Sequence, residues 1–467
     1  MQTQSRFTHI SALALGIAAA FAFGQADAAG FQLKENSVKA MGRAFAGSAA
    51  APGDASVVTN NPAAMTQFDK NTVQADISVV DLSATFSGGG TDATGVLPLT
   101  GGDGGDAGDV TPIPAFSAIF PLGDSGVTVG AMVSAPFGLK TEYENGWVGR
   151  YNALKSDVKT VDFTLSASVD ITDRFSVGVG MIYERAEATL SSAIDFGAFM
   201  AGAGVPGILP QSQDGMVSVE GDDNGFGWLA GAHWRPTDKL TIGYSHRSEI
   251  DHDLEGTGDF TLPAAFAGAQ AGFAAAAASP NLPLTPAQRA QLAVLGNGFR
   301  DTGVVAPLTT PSIDTLSVTY AFTDRFTLLA DVSKTDWHSL QAVTVDFANP
   351  FQPTSVEAFN WDDTMFYSLG AEFALSDTFA LRAGVARDET PTNDEARTPR
   401  LPDANRDWVS VGLTWNASEA LEVNAGYTHI FVDDPTINGI HSSSNSTLTG
   451  VYDADVNLYG VSAQYRF

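Results

Sequence analysis

The stretch "ITDRFSVGVG" at 171–180 is met again, almost residue for residue, as "FTDRFTLLA" at 322–330. Looser copies read "LGDSGVTVG" at 122–130, "PTDKLTIGY" at 236–244, "LSDTFALRAG" at 375–384 and "NASEALEVNAGY" at 416–427, six corners in all. Beyond each corner the residues alternate. After Arg174 one face carries Phe175, Val177, Val179, Met181 and Tyr183, and the other Ser176, Gly178, Gly180, Ile182 and Glu184. A period of two is that of a strand with one apolar and one small or polar face. Such strands suit a soluble sandwich or a barrel in lipid. Length, short corners alternating with long irregular connections, and an aromatic or Leu at the start of most strands favour lipid.

Six short turns join seven up-and-down pairs, so the spacing predicts 14 antiparallel strands, an even number as bacterial barrels have. The expected strands are 71–87, 110–121, 127–137, 157–171, 175–191, 215–235, 240–252, 310–322, 326–337, 360–375, 379–389, 406–417, 420–433 and 453–467. Closure satisfies every backbone donor and acceptor without an edge in hydrocarbon. The last strand ends "LYGVSAQYRF", with Tyr459, Val461, Ala463, Tyr465 and Phe467 on one face. A terminal aromatic at Phe467 resembles the signal read by the outer-membrane assembly machinery.

Composition agrees with an exported barrel and excludes much else. The 467 residues include 47 Gly and no Cys, and the formal charge is −29. So large an acidic excess argues against nucleic acid, whose phosphates need clustered Lys and Arg. Without Cys there are no disulfides or thiolate metal sites. "MQTQSRFTHI", an apolar run "SALALGIAAAFAFG" and "ADA" at 26–28 read as a signal peptide over 1–28, with the mature chain starting at Ala29. The predicted organisation is a signal peptide at 1–28, an N-terminal segment at 29–70 and a barrel at 71–467.

Residues 29–70 do not alternate, and they either fold into the barrel mouth as a plug or hang as a periplasmic tail. The connections 192–214 and 253–309 contain "AIDFGAFMAGAGVPGILP", "LPAAFAGAQAGFAAAAA" and "TPAQRAQLAVLGNGF", apolar and partly helical in period. Apolar segments beside water are costly unless they bury one another or hold something greasy. Both readings stand: mutual packing that caps the barrel, or a capture groove. In "SAPFGL" at 134–139, Pro136, Phe137 and Gly138 mark either an inward kink of the wall or the outer end of a strand.

The mature start "AGFQL", the triplet Asn61-Pro62-Ala63, "PFGLKTEYENGWVGRYNALKSD" at 136–157, "FTLPAAF" and "RTPRLPDANRDWVSVGLTW" at 397–415 together resemble the FadL/TodX-type outer-membrane transporters of long-chain fatty acids and hydrocarbons. The last stretch carries Pro402, Asp403, Arg406 and Trp408 in the family pattern. The resemblance implies a 14-stranded transmembrane β-barrel of the bacterial outer membrane, plugged by an N-terminal hatch. It implies passive uptake of a hydrophobic small molecule, captured between the third and fourth outer loops and released sideways after the hatch rearranges. Candidate ligand contacts are Phe31, Phe196, Phe199, Met200, Phe266, Phe273, Leu292, Leu295 and Phe299, and Asn61-Pro62-Ala63 is the hatch motif expected beside the wall kink. One departure is Trp361-Asp362-Asp363, where many relatives carry Trp-Lys-Asp. An acid there is expected to repel an anionic headgroup unless Arg185, Arg382 or Arg387 substitutes, which raises neutral aromatic or aliphatic hydrocarbons as the alternative cargo.

Neither a cofactor nor a metal is expected. The seven His are scattered, and the Asp-Gly loop at 88–110 is read as solvated, with Ca²⁺ as the other possibility. No G-x-S-x-G element is present. The rivals to a hydrophobic-ligand transporter are a water-filled porin and a barrel-borne enzyme. Expected partners are the hydrophobic ligand, outer-membrane lipid and lipopolysaccharide, and the assembly machinery, with the barrel itself a monomer.

Overall fold

The computed structural model describes residues 30–467, so the signal peptide and Ala29 lie outside the described residues. Fourteen staves form the wall. They are β1 (Thr72–Thr91), β2 (Val110–Pro121), β3 (Val127–Ser134, resuming at Gly138–Glu142), β4 (Lys155–Thr172) and β5 (Phe175–Asp195). Next come β6 (Asp214–Trp234), β7 (Leu240–Arg247 and Ile250–Thr261), β8 (Thr302–Thr310 and Ile313–Thr323), β9 (Phe326–Thr335) and β10 (Thr364–Ala374). The circuit is completed by β11 (Phe379–Asp388), β12 (Arg406–Asn416), β13 (Leu421–Val432 and Thr436–His441) and β14 (Thr447–Arg466). Each stave is antiparallel to the next, and β14 returns to β1 from Thr72↔Arg466 to Thr91↔Thr447. The barrel is closed, with the 14 strands that the corners predict.

The corners explain their own recurrence. Thr172, Thr237, Thr323, Ser376 and Ser418 each accept a backbone N–H from two or three residues further on, and Ser125 accepts from Val127. A hydroxyl at that place folds the turn by itself. The staves extend further outward than their alternation predicts: β1 runs to Thr91, β8 begins at Thr302 and β14 at Thr447. Above the lipid belt both faces meet water, so the ladder continues where the apolar period has stopped.

The belt is plain in the outward residues. Val179, Met181, Phe226 and Trp228 are among the most exposed large apolar side chains, at 63%, 55%, 69% and 53%. In water such a surface is untenable; among acyl chains it is solvated. Inward residues are small or polar, and they meet residues 30–68, which fold back inside the lumen around α1 (Val38–Met41), α2 (Val57–Asn60) and a 3₁₀ turn at Pro62–Gln67. Buried ion pairs tie that segment to the wall: Arg43 to Glu372 at 2.5 Å and Lys39 to Glu422 at 2.8 Å. Gly231 shows how close the approach is, since a Cβ there would lie 1.9 Å from Asn61 Oδ1.

Outside the wall, the third outer loop carries α3 (Phe196–Gly202), and the fourth carries α4 (Ala264–Ala278) and α5 (Pro286–Asn297). Thr285 and Gln288 cap α5 reciprocally, as its sequence suggests. In the Asp-rich loop the carboxylates serve their own chain: Asp92 accepts from Thr94 N and Leu97 N, and Asp106 from Ala84 N.

Candidate functional site: a strap, a cavity and a seam in the wall

The ladder between β2 and β3 is incomplete. It runs from Pro121↔Thr128 to Phe116↔Val133 and stops, although β2 continues outward to Val110. Beyond the break at 135–137, the outer segment of β3 pairs only with β4, from Gly138↔Lys159 to Glu142↔Lys155. A seam is left between residues 110–115 of β2 and residues 135–138. Pro136 stands on one border, and Pro112 and Pro114 stand on the other. Proline has no N–H to give a ladder and is tolerated where a strand has a free edge. "TPIP" at 111–114 was thus a second sign of the seam, missed in the sequence.

From inside, residues 30–36 lie across this seam as a strap. Leu33 N donates to Pro136 O and Gly138 N to Phe31 O, both at 2.7 Å. Leu33 packs with Ile113 and Ala135. Phe31 sits among Trp337 at 4.9 Å, Phe137 at 5.7 Å and Trp361 at 5.9 Å between ring centroids. Gly30 is placed by its N–H, which donates to Asp403 Oδ2 at 2.8 Å, and Asp403 is in turn paired with Arg406. A Cβ on Gly30, whose φ is +60°, would strike Trp337 at 2.7 Å. The segment around Asp403, Arg406 and Trp408 therefore anchors the start of the strap.

Asn61-Pro62-Ala63 is not beside the kink, contrary to expectation. Asn61 caps the 3₁₀ turn and donates to Ala49 O at 2.7 Å and Ala232 O at 3.1 Å, while Ser176 Oγ donates to Ala63 O at 2.8 Å. The triplet clamps the folded segment to β5 and β6 near their inner turns. The residues at the kink are Phe31, Gln32 and Leu33.

Flanking the strap is a cavity of about 100 Å³ lined by Leu33, Lys34, Pro136, Arg247, Asp331 and Phe366 among others. A second, almost wholly apolar cavity of about 50 Å³ lies among Val158, Leu190, Val219, Leu254, Val304 and Val345. All of these but Leu190 belong to the same apolar cluster as Phe31, Phe137, Trp337 and Trp361. Toward the outer loops, Phe347 of this cluster meets Phe260 at 5.9 Å, and Phe260 meets Phe299 at 5.9 Å. Phe299 joins Phe196, Met200, Phe266, Phe273 and Leu295, with Phe199 and Leu292 against them, in a cluster formed by the third and fourth loops. Apart from Phe31, the candidate ligand contacts are all brought together there. In this structure they cover one another, Phe196 and Phe266 at 4.2 Å between centroids.

The candidate headgroup arginines are elsewhere. Arg185 and Arg387 alternate onto the outer face of the wall, where Arg185 pairs with Glu187 and Asp222, and Arg387 with Asp407 and Asp433. Arg382 faces inward but shares Glu372 with Arg43 of the folded segment. A one-residue difference in phase decides inside or outside, and the alternation after Arg174 already puts Arg185 on the apolar face with Val179, Met181 and Tyr183. The acids of Trp361-Asp362-Asp363 do not face the cavity: Asp363 binds Lys334 on the outer side at 2.6 Å, and Asp362 is exposed. The cations that do line the cavity are Arg247 and Lys34. Arg247 is committed to buried Asp162 at 2.5 Å and Glu184 at 2.7 Å. Lys34 Nζ rests 4.1 Å from the Phe366 ring centroid and makes no ion pair among the described residues. Shelter from water lowers its pKa, against the opposing pull of Asp388, Asp331 and Glu35.

A closed barrel with an apolar outward belt and a lumen filled by its own N-terminal segment is a transport channel of the bacterial outer membrane, not an enzyme. Residues 19–467 match the family model described as outer membrane protein transport protein (OMPP1/FadL/TodX), and the chain belongs to that family. It is 27% identical to the "47 kDa outer membrane protein" of Pasteurella multocida over 100% of both chains. It is 26% identical to the long-chain fatty acid transport protein of Escherichia coli K12, covering 91% of this chain and 93% of that one. The crystal structure of a Pseudomonas aeruginosa FadL homologue superposes with TM-score 0.83 at 26% identity, covering 94% and 99% of the two chains. The P. putida toluene transporter TodX shares the fold at TM-score 0.65 and 16% identity, over 92% and 97%. The chain is an outer-membrane transporter of hydrophobic compounds.

Proposed function

We propose that this transporter takes up long-chain fatty acids or closely similar lipophiles. They are captured between the third and fourth outer loops, passed to the cavity beside the strap, and released sideways through the seam between β2 and β3. The observation that carries this reading is the seam itself, free of ladder bonds and filled from inside by Phe31, Gln32 and Leu33. Lateral release is favoured because each CH₂ kept out of water is worth about 0.8 kcal/mol, which periplasmic exit would forfeit. The moving part of the hatch is the strap at 30–36, bonded to the wall by hydrogen bonds but by no ion pair among the described residues, while residues 38–68 stay clamped by the ion pairs of Arg43 and Lys39 and by Asn61.

A carboxylate is favoured over a neutral hydrocarbon by Lys34. A sheltered ammonium without an ion pair is costly, and an arriving anion relieves that cost. The test is uptake of labelled oleate by cells lacking any transporter of their own. Expression of this chain is expected to confer uptake, and expression of a Lys34→Gln variant to confer less. Oleate uptake no greater than in the empty cells would refute the reading.

A further inference from the structure

The seam has an outer edge, and a polar contact spans it. Lys140, on the outer segment of β3, reaches across to Asp109 at the head of β2, and Glu142 N donates to Ala107 O at 3.1 Å just above. Leu139 and Thr141 face the lumen, so Lys140 points outward. Directly opposite Lys140 on β4 is Asp157, which pairs with Lys155 at 3.2 Å, and diagonally from it, opposite Gly138, is Lys159, whose ammonium meets Glu187 at 2.6 Å. Below these rows the outward face turns apolar at Phe163, Leu165, Met181 and Tyr183. Lys140 and Lys159 therefore stand in the polar band directly above the lipid belt, at the mouth of the seam.

Resting on the fatty-acid reading, we propose that Lys140 is the exit-side contact for the cargo's carboxylate. A fatty acid leaving through the seam must set its tail among acyl chains and its head at the interface above them. Lys140 occupies that height. Its bond to half-exposed Asp109 is a surface ion pair, worth at most about 1 kcal/mol, so an incoming carboxylate displaces Asp109 at little cost. Arg247 cannot serve this way, because Asp162 is buried with it and would lose its cationic partner. Lys34 inside and Lys140 outside thus offer the head two successive cations on opposite faces of the seam.

The test compares uptake of oleate and of oleyl alcohol by cells carrying the wild-type chain, Lys140→Gln, Lys140→Arg or Asp109→Asn. Lys140→Gln is expected to slow oleate uptake about two- to fivefold, the exchange value of an exposed ion pair, and to leave oleyl alcohol unchanged. Lys140→Arg should restore oleate, and Asp109→Asn should not slow it. If Lys140→Gln and Asp109→Asn slow both cargoes alike, the pair is merely a clasp and the inference falls. It falls equally if neither variant changes anything. Failure of the wild-type chain to take up oleate would instead overturn the fatty-acid reading.

Discussion

Glu35 is the residue at which the strap's closure meets pH. Burial pushes its carboxyl up to about 7, with backbone N–H groups and Lys34 pulling the other way, and its Oε2 has no hydrogen-bond partner. A carboxyl whose folded pKa is raised binds its proton more tightly when the strap is seated. The stabilisation is therefore complete below the ordinary value of 4.5 and is lost as pH rises through about 7. Amide exchange over residues 30–36 is expected to quicken between about pH 5 and pH 8 beyond the intrinsic rate, and Glu35→Gln should abolish that excess. An unchanged slope in the variant would remove Glu35 from the account. Lys34, one residue earlier, shows why single residues were the hardest to place from sequence. Nothing in "GFQLKENS" says which side chain will end beside a cavity, because that depends on where the strap crosses β3.

Among the elements, the folded segment divides into a body clamped by ion pairs and a strap held, among the described residues, by hydrogen bonds and packing alone. Asn61 contributes three bonds to the body: it accepts from Ala63 N and donates to Ala49 O and Ala232 O. Asn61→Ala is expected to cost about 2–3 kcal/mol of docking, to raise ion leak in planar bilayers and to impair uptake. The barrel's resistance to unfolding in SDS without heating should survive. A variant as ion-tight as the wild type would mean that the clamp lies elsewhere. Staves and turns were legible in the sequence because each is a local rule, a Ser or Thr corner followed by period-two alternation. The placing of the triplet against β5 and β6 was not. That contact depends on small inward residues such as Gly231, whose partner is 170 residues away in the chain.

At the scale of the whole molecule, the wall carries two kinds of information. Its outward face, apolar between polar rims, fixes the membrane; the wall closes from β1 to β14, and among the described residues its ladder is interrupted between β6 and β7 at 223–228 and again at the seam between β2 and β3. The seam is bordered by three prolines, Pro112, Pro114 and Pro136. Packed rings running from Phe299 through Phe260 and Phe347 reach the cluster of Phe31 behind the same opening.

If cargo leaves through this opening, sewing it shut must stop uptake. Cysteines introduced by Pro114→Cys and Ala135→Cys stand on its two borders, next to the last ladder pair Phe116↔Val133. With the disulfide formed, oleate uptake should cease, and reduction should restore it to the level of the reduced variant before oxidation. Undiminished uptake through the oxidised, sealed wall would contradict the account and send the cargo down through the lumen.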